Sequence, residues 1–559
     1  MKKPLPEYPR PQLQRDSFLN LNGYWDFCVT KGEEPDFKEK ILVPYSPETK
    51  ISEIERKILP DDVMWYQTAF TLDENFLKEK TILHFGAVDQ SAEVFVNGKF
   101  AFSHIGGYTS FSGDVSSFVT VGENILLVKA TDVSDTSYHS RGKQKTKRGG
   151  IWYTPQSGIW QTVWLESVEN LYVKDIRFTP IFEENAVILR VFSDFNENCS
   201  AVVEGEVYNF KTNEDYKIKL ESKNYWSPEN PYLYDVEIVL GNDKVKSYFG
   251  MRKFSVEKDE NGIKRIFLNG KPYFHNGVLD QGYYPVGLYT PVSDEAYIND
   301  LMFLKNAGFN MLRKHIKIEP LRFYYHCDRL GILVWQDMIN GGENYNLLTI
   351  SSPLITGISF KDNLYTLFAR KNKEGREEYK RELTEMINSL YNCVSVCMWV
   401  PFNEGWGQFD AKEIVDLILK LDNTRLIDHA SGWHDQKIGD FKSLHIYFKP
   451  VKFKKDKQGR CVILTEFGGY NYRIKGHAFS EKDFGYKRFK SEESFYTALK
   501  NLIHNEIIPA KEKGLSASVY TQLSDVEDEL NGLITFDREE QKLPFEKLRD
   551  IFEPLCDKI

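Results

Sequence analysis

Residues 309–337 read FNMLRKHIKIEPLRFYYHCDRLGILVWQD, and this stretch decides the fold of the second half of the chain. Two short apolar strands end near Arg313 and Asp337 and flank a helical stretch at 320–330. Strands that alternate with helices in this way favour βα units and a parallel sheet. The stretch therefore predicts one complete βαβ unit.

The same alternation continues from about residue 258 to the end of the chain. Eight strands are predicted, ending near Asp280, Arg313, Asp337, Glu404, Ser431, Tyr447, Glu466 and Gln522. Helices are predicted at 294–307, 320–330, 375–391, 412–421 and 493–512. Eight such units in about 300 residues have the size of a (β/α)8 barrel. A doubly wound open sheet is the alternative, but the sequence contains neither GxGxxG nor GxxxxGK[ST].

One predicted connection in this region is unusually long. About 35 residues, from 340 to 374, follow the third strand. Loops of that length are usually functional or disordered. On a barrel this one would lie over the active-site face.

The first half of the chain is dominated by short alternating segments that indicate antiparallel strands. Strands are predicted at 64–72, 81–85, 92–96 and 124–130, with turn pairs such as Asn97-Gly98 between them. A β-sandwich over residues 1–168 is the natural interpretation. Segments such as 186–191 and 235–240 extend the pattern, so 169–257 is predicted to form an immunoglobulin-like β-sandwich and 258–559 the barrel.

Composition limits the classes of function. The 559 residues carry a net charge of −9, without the basic stripe that nucleic-acid binding needs. The densest basic run, residues 141–148, is expected to be a solvated loop. No apolar run approaches the length of a membrane span, and the N-terminus lacks the apolar core of a signal peptide.

The seven cysteines form neither a CxxC pair nor a disulfide framework. Cys393 and Cys397 lie in an apolar strand-like run and are expected to be buried thiols. This usage favours a reducing, cytoplasmic compartment.

Polar residues gather where the barrel strands are predicted to end. They are Asp280, Arg313, His315, Asp337, Asn403, Glu404, His429, His445, Tyr447 and Glu466. In a (β/α)8 barrel these ends face one mouth, where catalysis takes place. Two carboxylates across such a mouth suit glycosidic bond cleavage, with retention of configuration if they lie about 5–5.5 Å apart. Burial beside its charged partner would raise the pKa of the acid.

Four motifs resemble glycoside hydrolase family 2, the family of β-galactosidases, β-glucuronidases and β-mannosidases. Residues 20–25 (NLNGYW) look like its opening strand, and 157–161 (SGIWQ) like the end of its first domain. Residues 399–407 (WVPFNEGWG) resemble the acid/base strand, and 464–469 (LTEFGG) the nucleophile strand. The resemblance covers essentially the whole chain. It implies a jelly-roll sugar-binding domain, an immunoglobulin-like domain and a catalytic barrel.

The resemblance also implies individual roles. Glu404 would be the acid/base and Glu466 the nucleophile. Asn403 would bond the sugar 2-hydroxyl, and Arg313 and Tyr447 would hold Glu466. Further substrate-binding residues are predicted to be His315, Asp280, Asp337, His445, Trp433, Trp406 and Gln522.

Several of these roles have alternatives. The family often has Ser-His-Tyr around the position of His315, where this chain reads Lys-His-Ile, so His315 could instead be a core histidine. Arg313 could form a purely structural ion pair. Trp406 and Trp433 could pack rather than stack on sugar. Four acidic residues could also reach the mouth, although each is more easily explained as solvated: Glu343, Asp525, Glu527 and Asp528.

Some segments depart from the family's pattern, and these differences indicate which sugars the chain would accept. β-Glucuronidases carry an Asn-x-Lys pair near the last strand, whereas residues 529–533 read ELNGL, and Glu529 would repel a carboxylate. Glucuronides are therefore disfavoured as substrates. Arg473 could be a substitute cation, so a uronic acid substrate remains an alternative. Residues 335–340 (WQDMIN) lack the acidic, His-containing segment of the large magnesium-dependent β-galactosidases. Residues 331–337 (GILVWQD) look more like the β-mannosidase segment.

The sequence thus predicts a retaining, exo-acting β-glycosidase, β-galactosidase-like, whose partner is a carbohydrate substrate. Neither a cofactor nor a metal is required by the two-carboxylate mechanism. A β-uronidase, β-mannosidase or α-arabinopyranosidase is the alternative within the family, and a homo-oligomer is compatible with the sequence. Rivals from other classes are a non-catalytic carbohydrate-binding protein, a transglycosylase and an esterase, and the last would need a Gly-x-Ser-x-Gly turn that the sequence lacks.

Overall fold

A computed structural model describes residues 3–556. Two antiparallel sheets form the first β-sandwich. One has four strands in the order Phe18–Asn20, Val163–Val168, Lys80–Phe85 and Phe111–Asp114. The other has six, in the order Glu39–Val43, Gly23–Thr30, Val63–Leu72, Gly122–Thr131, Ser91–Val96 and Lys99–Ile105. Alternate residues of the strands face one apolar core, which includes Trp25, Tyr66 and Leu126.

The second β-sandwich has its own core, around Leu189, Ile238 and Phe249. Its sheets contain Asp175–Ile181, Ala186–Phe192 and Tyr216–Lys219 in one, and Glu206–Lys211, Asn198–Val203, Tyr234–Leu240 and Asp243–Phe249 in the other. Three shorter sheets complete the strands: Phe254–Lys258 with Lys264–Leu268 and Lys271–Pro272, Val88–Asp89 with Gly158–Ile159, and Tyr470–Tyr472 with Lys487–Phe489.

All eight predicted barrel strands are present and parallel. They are β1 His275–Asp280, β2 Met311–Lys314, β3 Leu333–Asp337, β4 Val396–Val400, β5 Leu426–Ile427, β6 Phe441–Ile446, β7 Cys461–Gly468 and β8 Leu515–Thr521. Hydrogen bonds join them in the order β5-β4-β3-β2-β1-β8-β7-β6. This circular order confirms the barrel prediction and excludes the doubly wound sheet.

Strand parity separates the inside of the barrel from the outside. Met311 and Trp335 belong to the cluster that fills the interior, whereas their neighbours Leu312 and Val334 pack with the surrounding helices. Arg313 has the parity of Met311, so its side chain enters the barrel at the carboxyl end of β2.

The five predicted helices are confirmed within a few residues. The helices are α1 Asp294–Asn306, α2 Leu321–Leu330, α3 Leu347–Ile355, α4 Lys373–Leu390, α5 Ala411–Leu421, α6 Glu492–Leu502, α7 Ile508–Lys513 and α8 Phe545–Phe552. A π-helical turn at Ile503–Ile507 joins α6 to α7. Within residues 3–556, no helix has the length and apolar character needed to cross a bilayer. Cys393 and Cys397 are buried free thiols, as predicted.

The long connection at 340–374 is not a structureless loop. It contains α3, whose N-terminus is capped by the Asn346 side chain, and the single turn Tyr365–Phe368. Only one side of α3 is buried, and Leu348 is 79% exposed. The apolar residues of α3 therefore lacked the spacing that identifies an amphipathic helix in the sequence.

Candidate active site

The two predicted glutamates meet at the carboxyl ends of the barrel strands. Glu466 lies within β7, and Glu404 lies four residues beyond the end of β4. One oxygen of each carboxylate and one ring nitrogen of His445 all lie within 4.8 Å of one another. The carboxylates are therefore close enough to act on the same bond.

A local irregularity orients Glu466. Leu444 of β6 pairs with Leu464, but the next residue, His445, pairs with Glu466. Thr465 is thus an extra residue in β7, which is the definition of a β-bulge. Without it Glu466 would share the orientation of Leu464, which packs in the cluster outside the barrel.

Glu404 sits in a strained turn. Its φ is +53°, in the left-handed region that a residue with a side chain rarely adopts. The turn is held by hydrogen bonds from the Glu404 N–H to the Ser431 carbonyl at 2.9 Å and from the Trp406 N–H to the Asn403 carbonyl at 3.0 Å. Strain of about 1–3 kcal/mol at one residue is typical of functional sites.

Arg313 links four groups of the mouth and is fully buried. Its guanidinium donates to Asp337 at 2.9 Å, to Glu466 at 3.2 Å and to the Asn403 side-chain oxygen at 2.8 Å, and it also reaches the Thr465 carbonyl. Burial would lower its pKa, but the Asp337 and Glu466 carboxylates raise it overall. Arg313 is therefore a permanent cation.

Tyr447 is the second partner of Glu466. The Tyr447 hydroxyl donates to Glu466 at 2.5 Å, and the Thr521 hydroxyl lies 3.0 Å from the Tyr447 hydroxyl oxygen. Tyr486 stacks on the Tyr447 ring at 4.0 Å between centroids and fixes its plane. Burial first, and then the Glu466 charge, raise the pKa of Tyr447, so the hydroxyl keeps its proton.

Glu404 has different partners. His445 Nδ1 lies 2.7 Å from one of its oxygens, and the Trp406 indole donates to the other at 3.2 Å. Burial would raise the pKa of Glu404, but the hydrogen bond and charge of His445 outweigh it and lower the pKa. The expected raised pKa of the acid is therefore wrong for the free protein, because the sequence did not show that His445 reaches Glu404.

His445 is held between the carboxylates. Its side chain is fully buried, its Nδ1 also lies 3.6 Å from Glu466, and its Nε2 lies 3.0 Å from the Ser431 hydroxyl. The same imidazole nitrogen therefore faces both carboxylates.

His315 and Asp337 form a buried pair beside Arg313. The Asp337 carboxylate contacts His315 Nδ1 at 2.8 Å and Arg313 at 2.9 Å. Burial lowers the pKa of His315 well below its usual value, which makes the ring neutral. Together with Asn403, these residues bring most of the predicted site into one hydrogen-bonded network.

Three predicted residues lie apart from this network. Asp280 has the parity of Val278, which packs outside the barrel, and its carboxylate pairs with Lys314 at 2.5 Å. The Gln522 side chain bonds Gln281 and Asn531. Trp433 is half-buried, 6.3 Å from the His445 ring, at the edge of a cleft beside α3.

The acidic residues after β8 are buried in specific contacts rather than solvated. Asp525 pairs with Lys542 at 2.6 Å. Glu527 and Asp528 pair with Arg148, and Glu529 accepts hydrogen bonds from Tyr153 and Asn531. Glu343 is exposed. Arg473 donates to the backbone carbonyls of residues 480 and 481.

The basic run 141–148 is not a solvated loop, so that expectation is wrong. Arg141 is 4% exposed and donates to carbonyls after β3, and Arg148 pairs with acidic residues after β8. The charges of Arg141 and Arg148 are therefore satisfied by the barrel, which a sequence cannot show before the domains are docked.

Sequence reasoning also missed an aromatic cluster at the mouth. Trp152, from the first sandwich, meets Trp406 edge-on at 5.3 Å and Tyr345 at 6.2 Å. Trp406 thus packs against aromatic rings as well as donating to Glu404. The only available signal was the tryptophan and tyrosine content around 151–153, which fits a sandwich core equally well.

Within residues 3–556, two groups of side chains have metal-ligand geometry. One is Glu404, His445 and Glu466, and the other is His477, Asp537 and Glu539 near the surface. The chemistry of the first set matches proton transfer and nucleophilic attack, with two carboxylates facing one nitrogen of the same imidazole.

Three family models match the chain. They are "Glycosyl hydrolases family 2, sugar binding domain" over residues 44–169, "Glycosyl hydrolases family 2" over 171–252, and "Glycosyl hydrolases family 2, TIM barrel domain" over 261–466. The matched ranges follow the order of the two sandwiches and the barrel.

Curated relatives and solved structures are similar to the chain at low identity. A β-galactosidase of Thermoanaerobacter pseudethanolicus is 26% identical, covering 74% of this chain and 55% of its own length. A putative β-glucuronidase of Formosa agariphila is 25% identical, covering 73% and 50%. The chain thus spans about half the length of the curated relatives it matches.

The solved structures share the fold over nearly their whole length. A β-D-glucuronidase of Dictyoglomus thermophilum superposes with a TM-score of 0.78 at 19% identity, covering 99% of both chains. A β-galacturonidase of Eisenbergiella tayi superposes with a TM-score of 0.70 at 21% identity, also covering 99% of both.

Proposed function

The chain belongs to glycoside hydrolase family 2, and we propose that it is a retaining, exo-acting β-glycosidase, β-galactosidase-like. The observation that carries the proposal is the approach of Glu404 and Glu466, with oxygens within 4.8 Å of each other. Retaining enzymes hold their carboxyl groups about 5–5.5 Å apart, whereas inverting enzymes leave about 6.5–9.5 Å for a water.

In the first step Glu466 attacks the anomeric carbon and forms an ester with the sugar. Glu404 gives its proton to the glycosidic oxygen, so the aglycone leaves as an alcohol. In the second step Glu404 removes a proton from water, which attacks the anomeric carbon and releases the sugar. Glu466 is regenerated as a carboxylate and Glu404 as an acid.

The partners of each glutamate suit these tasks. Arg313 and Tyr447 both donate hydrogen bonds to Glu466 and so orient its carboxylate for attack. His445 Nδ1, 2.7 Å from one oxygen of Glu404, orients the carboxyl group that must deliver the proton. Asn403, fixed by Arg313, is placed to bond the sugar 2-hydroxyl.

Exo-action is supported by the way the mouth is narrowed. Residues 138–156 of the first sandwich contact the segments after β3 and β8. Trp152, Tyr345 and Trp406 form a wall on the same side. A closed-off mouth admits the end of a sugar chain more readily than its middle.

The first test is the configuration of the released sugar. Hydrolysis of an aryl β-galactoside, followed by proton NMR from the first turnover, should show the β-anomer before mutarotation. Immediate release of the α-anomer would reject the retaining mechanism. Screening β-glucoside, β-mannoside, β-glucuronide, β-galacturonide and α-arabinopyranoside in the same assay would locate the preferred sugar.

A further inference from the structure

A segment of the first sandwich, residues 138–156 (the sandwich loop), is fixed across the barrel mouth. At one end the N–H groups of Arg141 and Gly142 both donate to the Asn340 carbonyl, after β3, at 3.0 Å. At the other end the Thr154 N–H donates to Glu527, after β8, at 2.9 Å. The part of the loop between these anchors therefore runs from the β3 side of the mouth to the β8 side.

The loop approaches the end of β2 very closely at Gly142. This residue has φ +62°, and a β-carbon there would lie 3.1 Å from the Ile316 carbonyl. Ile316 follows His315, which belongs to the network around Arg313. The backbone of the next residue, Lys143, therefore lies close to the predicted sugar-binding groups.

The cations of the sandwich loop differ in what satisfies them. Arg141 donates to backbone carbonyls, and Arg148 pairs with Glu527 and Asp528. The Lys145 ammonium lies 4.2 Å from the Trp152 ring centroid. The Lys143 side chain is half-buried, 5.6 Å from the Tyr153 ring, and in the described part of the chain no carboxylate lies within 4.0 Å of its ammonium.

The Lys143 charge acts on the active site. Burial is the main cause that lowers the pKa of His315, and the Lys143 charge is the next. For Glu404, burial raises the pKa, His445 and Trp406 lower it, and Lys143 lowers it further. Lys143 is thus electrically part of the mouth, although it comes from a different domain.

We propose that Lys143 is a specificity-determining residue that binds the carboxylate of a uronic acid residue in the sugar site. A half-buried ammonium without an anion is poorly compensated, and a substrate carboxylate would supply a charge-assisted hydrogen bond. A neutral sugar, which has a hydroxymethyl group in place of this carboxylate, would form only a weaker hydrogen bond with Lys143. The inference rests on the proposed function, because it names the substrate class of the same site.

The acidic residues after β8, which in the sequence argue against an anionic sugar, already have hydrogen-bond or ion-pair partners. Glu529 accepts hydrogen bonds from Tyr153 and Asn531. Glu527 and Asp528 share Arg148. Their partners offset the repulsion that the ELNGL segment suggested, and Lys143 supplies the cation that this segment lacks.

The test compares substrates that differ only at C6. The pairs are 4-nitrophenyl β-D-galactoside with the corresponding galacturonide, and the glucoside with the glucuronide. For at least one pair, wild-type kcat/KM should be higher on the uronide. Lys143→Gln should lower kcat/KM on that uronide about 10–100-fold and on its neutral partner less than about threefold.

Two further variants separate charge from structure. Lys143→Arg keeps a cation and should retain much of the uronide activity. Lys147→Gln removes an exposed charge from the same loop and should change neither substrate. Melting temperatures of all the variants show whether the loop remains docked.

Each remaining outcome is decisive. Equal losses on the uronide and its neutral partner would overturn the proposal, because Lys143 would then act only through Glu404. If the protein hydrolyses the neutral glycosides but neither uronide, the proposal for Lys143 is overturned and the proposed function stands. Failure on all four glycosides would instead reject the β-galactosidase-like proposal, and this inference with it.

Discussion

Glu466 and Glu404 are carboxylates of the same barrel mouth, but they are held by groups of different kinds. Glu466 receives hydrogen bonds from Arg313 and from Tyr447, neither of which changes charge near neutral pH. Glu404 contacts His445, whose hydrogen bond and charge lower the pKa of Glu404. The side chains are similarly shielded, 7% exposed for Glu466 and 13% for Glu404. Burial alone therefore does not distinguish them.

The difference in partners matches the difference in task. A nucleophile must be ionised and correctly oriented, and Arg313 supplies a permanent cation with directed hydrogen-bond donors. An acid/base must gain and lose a proton in each cycle, so a neighbour that shifts its pKa affects its rate of turnover. The assignment of roles can therefore be tested by exchanging the partners as well as the glutamates.

The largest effect is expected for Glu466→Gln. An amide cannot form the glycosyl ester, so kcat should fall by at least about 10⁴-fold on every aryl glycoside that the wild type hydrolyses. Steady-state rates measure this, with circular dichroism to verify the fold. Normal activity in this variant would remove Glu466 from the mechanism.

Glu404→Gln should give a smaller loss that depends on the substrate. Without a proton donor the rate should fall by about 10²–10⁴-fold for poor leaving groups, but much less for the first step with dinitrophenyl glycosides, which need no protonation. Azide should then restore turnover and give a β-glycosyl azide. A loss that is independent of the leaving group would contradict the acid/base role.

Strand ends and motifs were sufficient to predict much of this arrangement from the sequence. The eight strand ends placed both glutamates at one mouth, because apolar runs followed by polar residues mark the carboxyl ends of parallel strands. Asp280 shows the limit of that reasoning. It ends β1 as predicted, but strand parity turns its carboxylate outward to Lys314.

Other features depend on geometry that no local pattern encodes. The bulge at Thr465 turns Glu466 inward, and a single added residue in a strand leaves no sign in its apolar pattern. The positions of Trp152 and Lys143 depend on how the first sandwich docks on the barrel, which involves residues hundreds of positions apart. The lowered pKa of Glu404 depends on its contact with His445 across two strands.

Arg313→Lys tests the permanent-cation side of the comparison. A lysine keeps the charge but cannot reach Asp337, Glu466 and Asn403 together, because it lacks the planar set of five donors. Both kcat and the melting temperature should fall, with the free energy of unfolding reduced by about 3 kcal/mol. Arg177→Lys is the matched control, since Arg177, in the second sandwich, donates to the exposed Asn388 side chain and stacks on the Tyr391 ring. An unchanged kcat would mean that Arg313 is merely structural.

His445→Asn should have the smallest effect on rate and the clearest effect on pH dependence. His445 lowers the pKa of Glu404 against the effect of burial, so its removal leaves burial dominant and the pKa rises. Glu404 then keeps its proton to higher pH, and the basic limb of kcat/KM should move upward. The lowered pKa also affects stability, because ionised Glu404 stabilises the folded state above its unfolded-state pKa. This contribution is lost when the pH falls through the folded-state pKa. In the variant, where the pKa is raised, its sign is reversed. His477→Asn, which removes a histidine paired with Asp537 outside this network, should leave the basic limb unchanged. A basic limb that stays in place in His445→Asn would show that the two carboxylates differ for a reason other than their partners.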